Sequence, residues 1–166
     1  MKDWFDKELH NAAARALDYF TGKKLRLATA ESCTGGLVAA ALTEIAGSSH
    51  VFDRGYITYS NTAKQQELGV PADTIGRFGA VSEETARAMA EGALRNSKAD
   101  YTLSITGIAG PDGGSADKPV GLVHIAAARN DKTLHEELRL GNLRRGEVRR
   151  RSALAAFALL EKLAKS

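Results

Sequence analysis

Leu25 to Ala46 reads LRLATAESCTGGLVAAALTEIA. Leu25 to Ala30 is a short apolar run of strand length, and Gly35 to Ala46 is apolar nearly all round, the pattern of a helix lying against a sheet. Between them stands Ala30-Glu31-Ser32-Cys33-Thr34-Gly35-Gly36, a turn of small and polar residues. A strand that passes through such a turn into a buried helix points to an α/β fold. Working outward, Phe5, Leu9, Ala13, Ala16, Leu17 and Phe20 fall at helical spacing and predict an amphipathic first helix ending near Gly22. Downstream, Gly55 to Ser60 reads as a second strand. Asn61 to Leu68 and Ala72 to Phe78 read as short helices, the latter following Pro71. Ser82, with Glu84 and Thr85 beside it, opens a longer helix with the core stripe Ala86, Met89, Ala90, Ala93 and Leu94. Tyr101 to Thr106 alternates apolar and polar residues as a third strand, and Gly107 to Pro119 is a loop. Val120 to Ala128 is too apolar for an edge and predicts a central strand. Thr133 to Leu140 returns antiparallel after a turn at Arg129-Asn130-Asp131, and Glu147 to Ala164 is the closing helix, with Ala153, Ala156, Phe157, Leu160 and Leu163 inward. This order predicts a three-layer α/β/α sandwich around a mixed sheet, formed as a single domain over residues 1–166.

The composition fits that reading. A chain of 166 residues, 43% hydrophobic and 26% charged, can bury roughly 70% of its unfolded surface and needs no staples. Its lone cysteine, Cys33, excludes an internal disulfide and suits a reducing compartment. Met1-Lys2-Asp3-Trp4-Phe5-Asp6 has no apolar run of signal-peptide type, and no stretch approaches the roughly 20 apolar residues of a membrane span. A soluble cytoplasmic protein with no membrane partner is expected. The net charge of +3 is mild, although Arg144, Arg145, Arg149, Arg150 and Arg151 crowd one segment. Such a run reads first as a solvated helix face, from which one or two arginines can reach an anionic small molecule. Without interleaved aromatics or a zinc-finger or RNP signature, it does not point to nucleic acid.

Sites in α/β sheets form beyond the carboxyl ends of the strands, and three polar segments fall there. At Glu31 to Gly36, small residues allow close approach to a ligand, and a helix N-terminus offers free N–H groups to negative charge. Ser32 would find oxyanion donors in the adjoining backbone, although on pattern alone a plain helix cap by Ser32 or Thr34 comes first. At Thr58-Tyr59-Ser60-Asn61-Thr62-Ala63-Lys64, a lysine with lowered pKa can replace the histidine that is missing from these loops, and a tyrosine can relay a proton. The alternative is a solvated lysine and a packed tyrosine. The third segment, Thr106 to Gly114 followed by Lys118-Pro119-Val120-Gly121, is rich in glycine and can cradle a phosphate or carboxamide, or simply cross the surface. His10, His50, His124 and His135 show no metal-ligand spacing, so no metal is expected, and His124 reads as a satisfied core histidine. Cys33 reads as a small buried hydrophobe before it reads as a nucleophile.

Together, Glu31-Ser32-Cys33-Thr34-Gly35-Gly36, Tyr59-Ser60-Asn61 with Lys64, Gly79-Ala80-Val81-Ser82, Gly107-Ile108-Ala109-Gly110-Pro111-Asp112-Gly113-Gly114 and Lys118-Pro119-Val120-Gly121 resemble the CinA C-terminal domain family over nearly the whole chain. The resemblance implies a five-stranded, mixed, mostly parallel sheet. It also implies a metal-independent, cofactor-free amidohydrolase that converts nicotinamide mononucleotide to nicotinic acid mononucleotide and ammonia. By the same resemblance Ser32 is the nucleophile and Lys64 and Tyr59 activate it. The backbone at Cys33, Thr34, Gly35 and Gly36, with Asn61, Thr106, Gly107 and Gly110, holds the amide and the nucleotide. In the family an arginine follows shortly after a glycine ahead of Val-Arg. Here Gly141 and Val148-Arg149 are separated by an insert carrying Arg144 and Arg145, so Arg145 and Arg149 are both assigned to the phosphate. A homodimer or higher homo-oligomer is expected. The competing reading is a nucleotide-binding accessory module of DNA uptake without turnover, or a homologue that has lost activity. The presence of Ser32, Tyr59 and Lys64 together argues against loss.

Overall fold

A computed structural model describes residues 5–166, and Met1-Lys2-Asp3-Trp4 lie outside the described residues. The order is α1 (Lys7–Lys23), β1 (Leu27–Glu31), α2 (Leu37–Thr43), β2 (Phe52–Ile57), α3 (Asn61–Leu68), α4 (Ala72–Phe78), α5 (Glu83–Arg95), β3 (Tyr101–Gly107), β4 (Leu122–Arg129), β5 (Lys132–Arg139) and α6 (Arg145–Ala164). Asp6 starts α1 by accepting the Leu9 N–H at 2.8 Å, and Ser60 and Ser82 cap α3 and α5 in the same way. The sheet order is β2-β1-β3-β4-β5. β1 pairs in parallel with β2 and β3, and β3–β4 and β4–β5 are antiparallel, so only β4 runs against the other four. α1, α2 and α6 cover one face, while α5, with α3 and α4 packed on it, covers the other. This is the mixed, three-layer α/β arrangement that the order of elements predicts.

The two faces are filled differently. Leu27, Leu103, Ile105, Val123 and Ile125 meet Leu9, Phe20, Leu42, Phe157 and Leu160 on the α1/α2/α6 side, a layer of large side chains. On the α5 side Ala86 and Ala90 lie against Ala126 and Ala128. These small contacts bring α5 close enough for the strand's hydroxyls to reach the backbone opposite. Thr102 donates to Ala90 O at 2.7 Å, Ser104 to Ala86 O at 2.6 Å and Thr106 to Ala80 O at 2.7 Å. The alternation in Tyr101 to Thr106 therefore marks a strand whose polar face is buried on a helix and not turned to water.

Two elements differ from their sequence expectation. β2 occupies Phe52–Ile57 and not residues 55–60, because it is an edge strand whose Asp53 and Arg54 are held by ion pairs with Arg26 and each other. α2 stops at Thr43 and buries only Val38, Ala41 and Leu42; Ala40 and Glu44 are exposed, so the helix is one-sided despite its apolar sequence. His124 is buried in β4 with Nδ1 2.9 Å from His135 Nε2, and the two rings stack. Glu83 approaches His135 at 3.5 Å and Glu137 approaches His124 at 3.9 Å. The core histidine is thus satisfied, by a second histidine. Among the described residues no helix is long and apolar enough to cross a membrane.

Candidate active site

The chain leaves β1 toward β2 through α2 on one face and reaches β3 through α5 on the other. The carboxyl ends of β1 and β3 therefore border the point where the winding reverses, the place where parallel sheets open a crevice. Ser32 directly follows β1, and its N–H is held by Ile105 O of β3 at 2.9 Å. Thr106 and Gly107 end β3, while Thr58 and Tyr59 follow β2 on the same edge. A cavity of about 270 Å³ lies here. Its walls include Ser32, Cys33, Tyr59, Asn61, Lys64, Thr106, Gly107, Gly110 and Arg145.

Glu31, the last residue of β1, is fully buried and turns its carboxylate onto the start of α2. It accepts the N–H groups of Gly36 at 3.1 Å, Val38 at 3.1 Å and Ala39 at 2.9 Å. The positive end of α2 is thus neutralised from within the chain. The Gly35 N–H is likewise spent on Ser32 O at 3.0 Å. Neither Gly35 nor Gly36 lines the cavity, contrary to the expectation that this helix end offers free donors to a ligand. Gly36 instead takes φ +95°, and a Cβ there would fall 2.9 Å from Ile57 Cδ1, so the turn is shaped by packing.

Lys64 lies in the second turn of α3, and its side chain leans back toward the helix N-terminus, as helical side chains do. This direction carries Nζ to Ser32 Oγ at 3.0 Å and to Thr58 O at 2.7 Å. The residue is 1% exposed and has no carboxylate partner among the described residues. Burial, by stripping water from the ammonium, pushes its pKa below the ordinary 10.5. Ser32 is itself buried. A serine hydroxyl against an amine inclined toward its neutral form is an arrangement that can pass a proton from oxygen to nitrogen.

Tyr59 is 60% exposed, and its hydroxyl accepts from Arg145 Nη2 at 2.9 Å and not from Ser32 or Lys64. The guanidinium also donates through Nη1 to Gly110 O at 2.8 Å, so it ties the start of α6 to the tyrosine and the glycine loop. That loop is firmly seated. Gly121 N–H donates to Ile108 O at 2.8 Å, Ser115 N–H to Lys118 O at 2.8 Å, and Val120 fills the space where a Cβ at Gly110 or Gly114 would go. Arg149, by contrast, stands outside the cavity and holds Thr34 O at 2.8 Å, steadying the Ser32 turn from behind. Burial pushes the Cys33 thiol up to about 12, so it stays protonated at neutral pH and is no nucleophile there.

Ile108, Ala109, Asp112 and Gly113 line the cavity from within the loop that the sequence marks as a cradle, although none was singled out there, and Ala80 and Val81 are wall residues to which sequence reasoning gave no role. The motif Gly79 to Ser82 was the available signal for the last two, since Thr106 ties Ala80 to the end of β3. Among the described residues no group of three or more His, Cys, Asp or Glu is placed to hold a metal ion.

An open three-layer sheet with a buried serine–lysine pair at its reversal point defines an α/β protein with a crevice site. Comparison with known proteins gives the family. The CinA C-terminal domain matches residues 9–164, and the chain belongs to that family. It is 52% identical over 133 residues to a CinA-like protein of Kosmotoga olearia, covering 80% of this chain and 32% of the relative. A CinA-like protein of Syntrophus aciditrophicus is 49% identical over 159 residues, covering 95% and 37% respectively. The chain thus spans about a third of the length of the curated relatives it matches. Among solved structures, the competence/damage inducible protein CihA of Agrobacterium tumefaciens superposes with a TM-score of 0.95 at 50% identity, covering 98% of this chain and 99% of that one. A CinA superfamily protein of Escherichia coli gives a TM-score of 0.89 at 31% identity, covering 97% and 94%.

Proposed function

We propose that the chain hydrolyses the carboxamide of nicotinamide mononucleotide, releasing nicotinic acid mononucleotide and ammonia. The observation that carries this reading is the buried Lys64 Nζ at 3.0 Å from Ser32 Oγ. Ser32 Oγ adds to the carboxamide carbon as its proton passes to Lys64. The C–N bond then breaks, and the lysine returns the proton to the departing ammonia. Water next attacks the acyl ester, with Lys64 again taking the proton, and carboxylate and Ser32 are released. In this reading the backbone N–H groups of Cys33, on the cavity wall beside Ser32, and of Thr34, which follows it in the turn, support the oxyanion. Arg145 meets the phosphate at the cavity mouth, and Tyr59 orients that arginine. Nucleophile and base are both side chains, so this chemistry calls on no metal. A homodimer acting in the cytoplasm belongs to the same reading.

The test is ammonia release from purified protein and nicotinamide mononucleotide, with Ser32→Ala as the control. The wild type is expected to give ammonia and nicotinic acid mononucleotide in equal amounts. The variant should lose roughly a thousandfold or more in turnover while keeping its melting temperature within a few degrees. A Ser32→Ala protein retaining over a tenth of turnover overturns the nucleophile. A wild type that binds the nucleotide and releases nothing favours an accessory binding module.

A further inference from the structure

The cavity contains two opposite charges that are left unanswered. Arg145 spends its donors on two neutral oxygens, Gly110 O and Tyr59 Oη, and has no carboxylate within 4.0 Å among the described residues. Asp112 lines the same cavity and has neither a hydrogen-bond donor nor a cation on it among the described residues. The two do not pair with each other, although both face one space of about 270 Å³. Other arginines of this fold pair with carboxylates, as Arg150 does with Asp6 and Arg87 with Glu83. Nor is Asp112 adrift, since the seated loop described above carries it, with Gly110 and Gly113 bending the chain on either side. Of the remaining ionisable wall residues, Cys33 is neutral and Lys64 is turned inward to Ser32. Among the described residues the wall therefore presents one cation and one anion whose charges no ion pair answers.

From this we infer that the site is built for a zwitterion, and that Asp112 is the specificity residue that reads the positive ring while Arg145 reads the anionic end. The inference rests on the proposed deamidation of a pyridinium nucleotide, whose ring nitrogen is quaternary and cationic and whose phosphate is anionic. A carboxylate near the ring discriminates by charge: it favours the oxidised, cationic ring over the reduced, neutral dihydropyridine with the same carboxamide, ribose and phosphate. Because Asp112 is exposed, the attraction is partly screened and should weaken as salt rises.

Binding and turnover are measured separately, so that the two readings fail in different ways. Calorimetry on Ser32→Ala protein, which cannot consume the ligand, compares nicotinamide mononucleotide with its reduced form. The comparison is made with Asp112 intact, with Asp112→Asn and with Asp112→Glu. Asp112→Asn is expected to weaken binding of the cationic nucleotide about tenfold and that of the reduced one by less than about twofold. Asp112→Glu should restore most of the preference. Equal weakening of both ligands would make Asp112 a loop-shaping residue and overturn the inference, as would no change in either. Ammonia release by the wild type tests the underlying reaction, and its absence alongside intact charge selection would sink the deamidase reading while leaving Asp112 as the reader of a cationic ligand.

Discussion

Replacing Lys64 with methionine separates what the lysine does for chemistry from what it does for the fold. The side chains are close in length, and the site is 1% exposed, so the thioether can follow the same path. The change removes two hydrogen bonds, to Ser32 Oγ at 3.0 Å and Thr58 O at 2.7 Å. At roughly 0.5–1.5 kcal/mol each, that is a loss of about 1–3 kcal/mol. Against it stand the extra apolar burial, about 0.8 kcal/mol per methylene-sized group, and release from burying a group that carries charge outside the protein. The net change should lie within about 2 kcal/mol, or roughly 4–8 °C in melting temperature for a domain of this size. A domain stable by roughly 5–15 kcal/mol remains over 99% folded after such a change. Any large loss of turnover therefore belongs to the chemistry, and the expected loss is about 10²–10⁴-fold in kcat. The assay is ammonia release at saturating nicotinamide mononucleotide, with melting followed in parallel.

The pH dependence gives a second reading. Wild-type kcat/KM should rise with pH as Lys64 loses its proton and level off below 10.5, the ordinary value from which burial lowers it. Because the folded pKa lies below the unfolded one, the wild type binds fewer protons folded than unfolded in that window, and its stability rises with pH there. The melting advantage of Lys64→Met, or its deficit, should accordingly shift toward the wild type as pH rises toward 10.5. A variant that keeps more than a tenth of wild-type kcat, or that changes only KM, would show that the base lies elsewhere.

Arg145→Ala should narrow the preference for the nucleotide over its riboside by tens-fold, because charge-assisted contacts to a phosphate are strong. Arg149→Ala, which loosens the Thr34 carbonyl, should lower kcat on both substrates alike. Equal activity of the wild type on nucleotide and riboside would remove the phosphate site altogether. The His124–His135 pair makes stability sensitive to acid. Burial, together with the mutual repulsion of the pair at His124, lowers both pKa values from 6.5, so the unfolded chain binds more protons as pH falls. Glu83, Glu84 and Glu137 oppose this shift, while Arg87 and Lys118 reinforce it. Melting temperature should therefore fall as pH drops below about 6.5, and the fall should be shallower in His135→Gln. An identical pH profile in that variant would dismiss the pair as its source.

The parts of the fold legible in the sequence are those where periodicity and burial agree. α4 carries a clear start signal in Pro71, and Val120 to Ala128 is too apolar for an edge, in keeping with β4 lying inside the sheet. β2 was misplaced because edge strands carry charge and lack a buried face to impose a period. At the site, the pairing of Ser32 with Lys64 was legible through the resemblance to the family and not through spacing, which on its own favours a solvated lysine. The role of Glu31 was not legible. Its carboxylate folds back over a tight turn to seal α2, and nothing in residue spacing separates a carboxylate that binds a ligand from one that binds its own helix. Arg145 and Arg149 looked alike for a similar reason. Four residues apart, they share a helix face, and only the position of the Thr34 and Gly110 carbonyls sends one to the turn and the other to the cavity.

The alanine layer beneath α5 also constrains how this protein can change over generations. With Ala86 and Ala90 against Ala126 and Ala128, and with three strand hydroxyls anchored on the backbone opposite, any larger side chain there must lift the helix and break those bonds together. That face is a ratchet that admits almost no single step. Asp112 and the rim around Ile57, Tyr59 and Phe78 are exposed and free of that restraint. New substrate preferences should therefore arise by rewriting the rim over an unchanged floor, one residue at a time, without the serine or lysine ever shifting relative to the sheet.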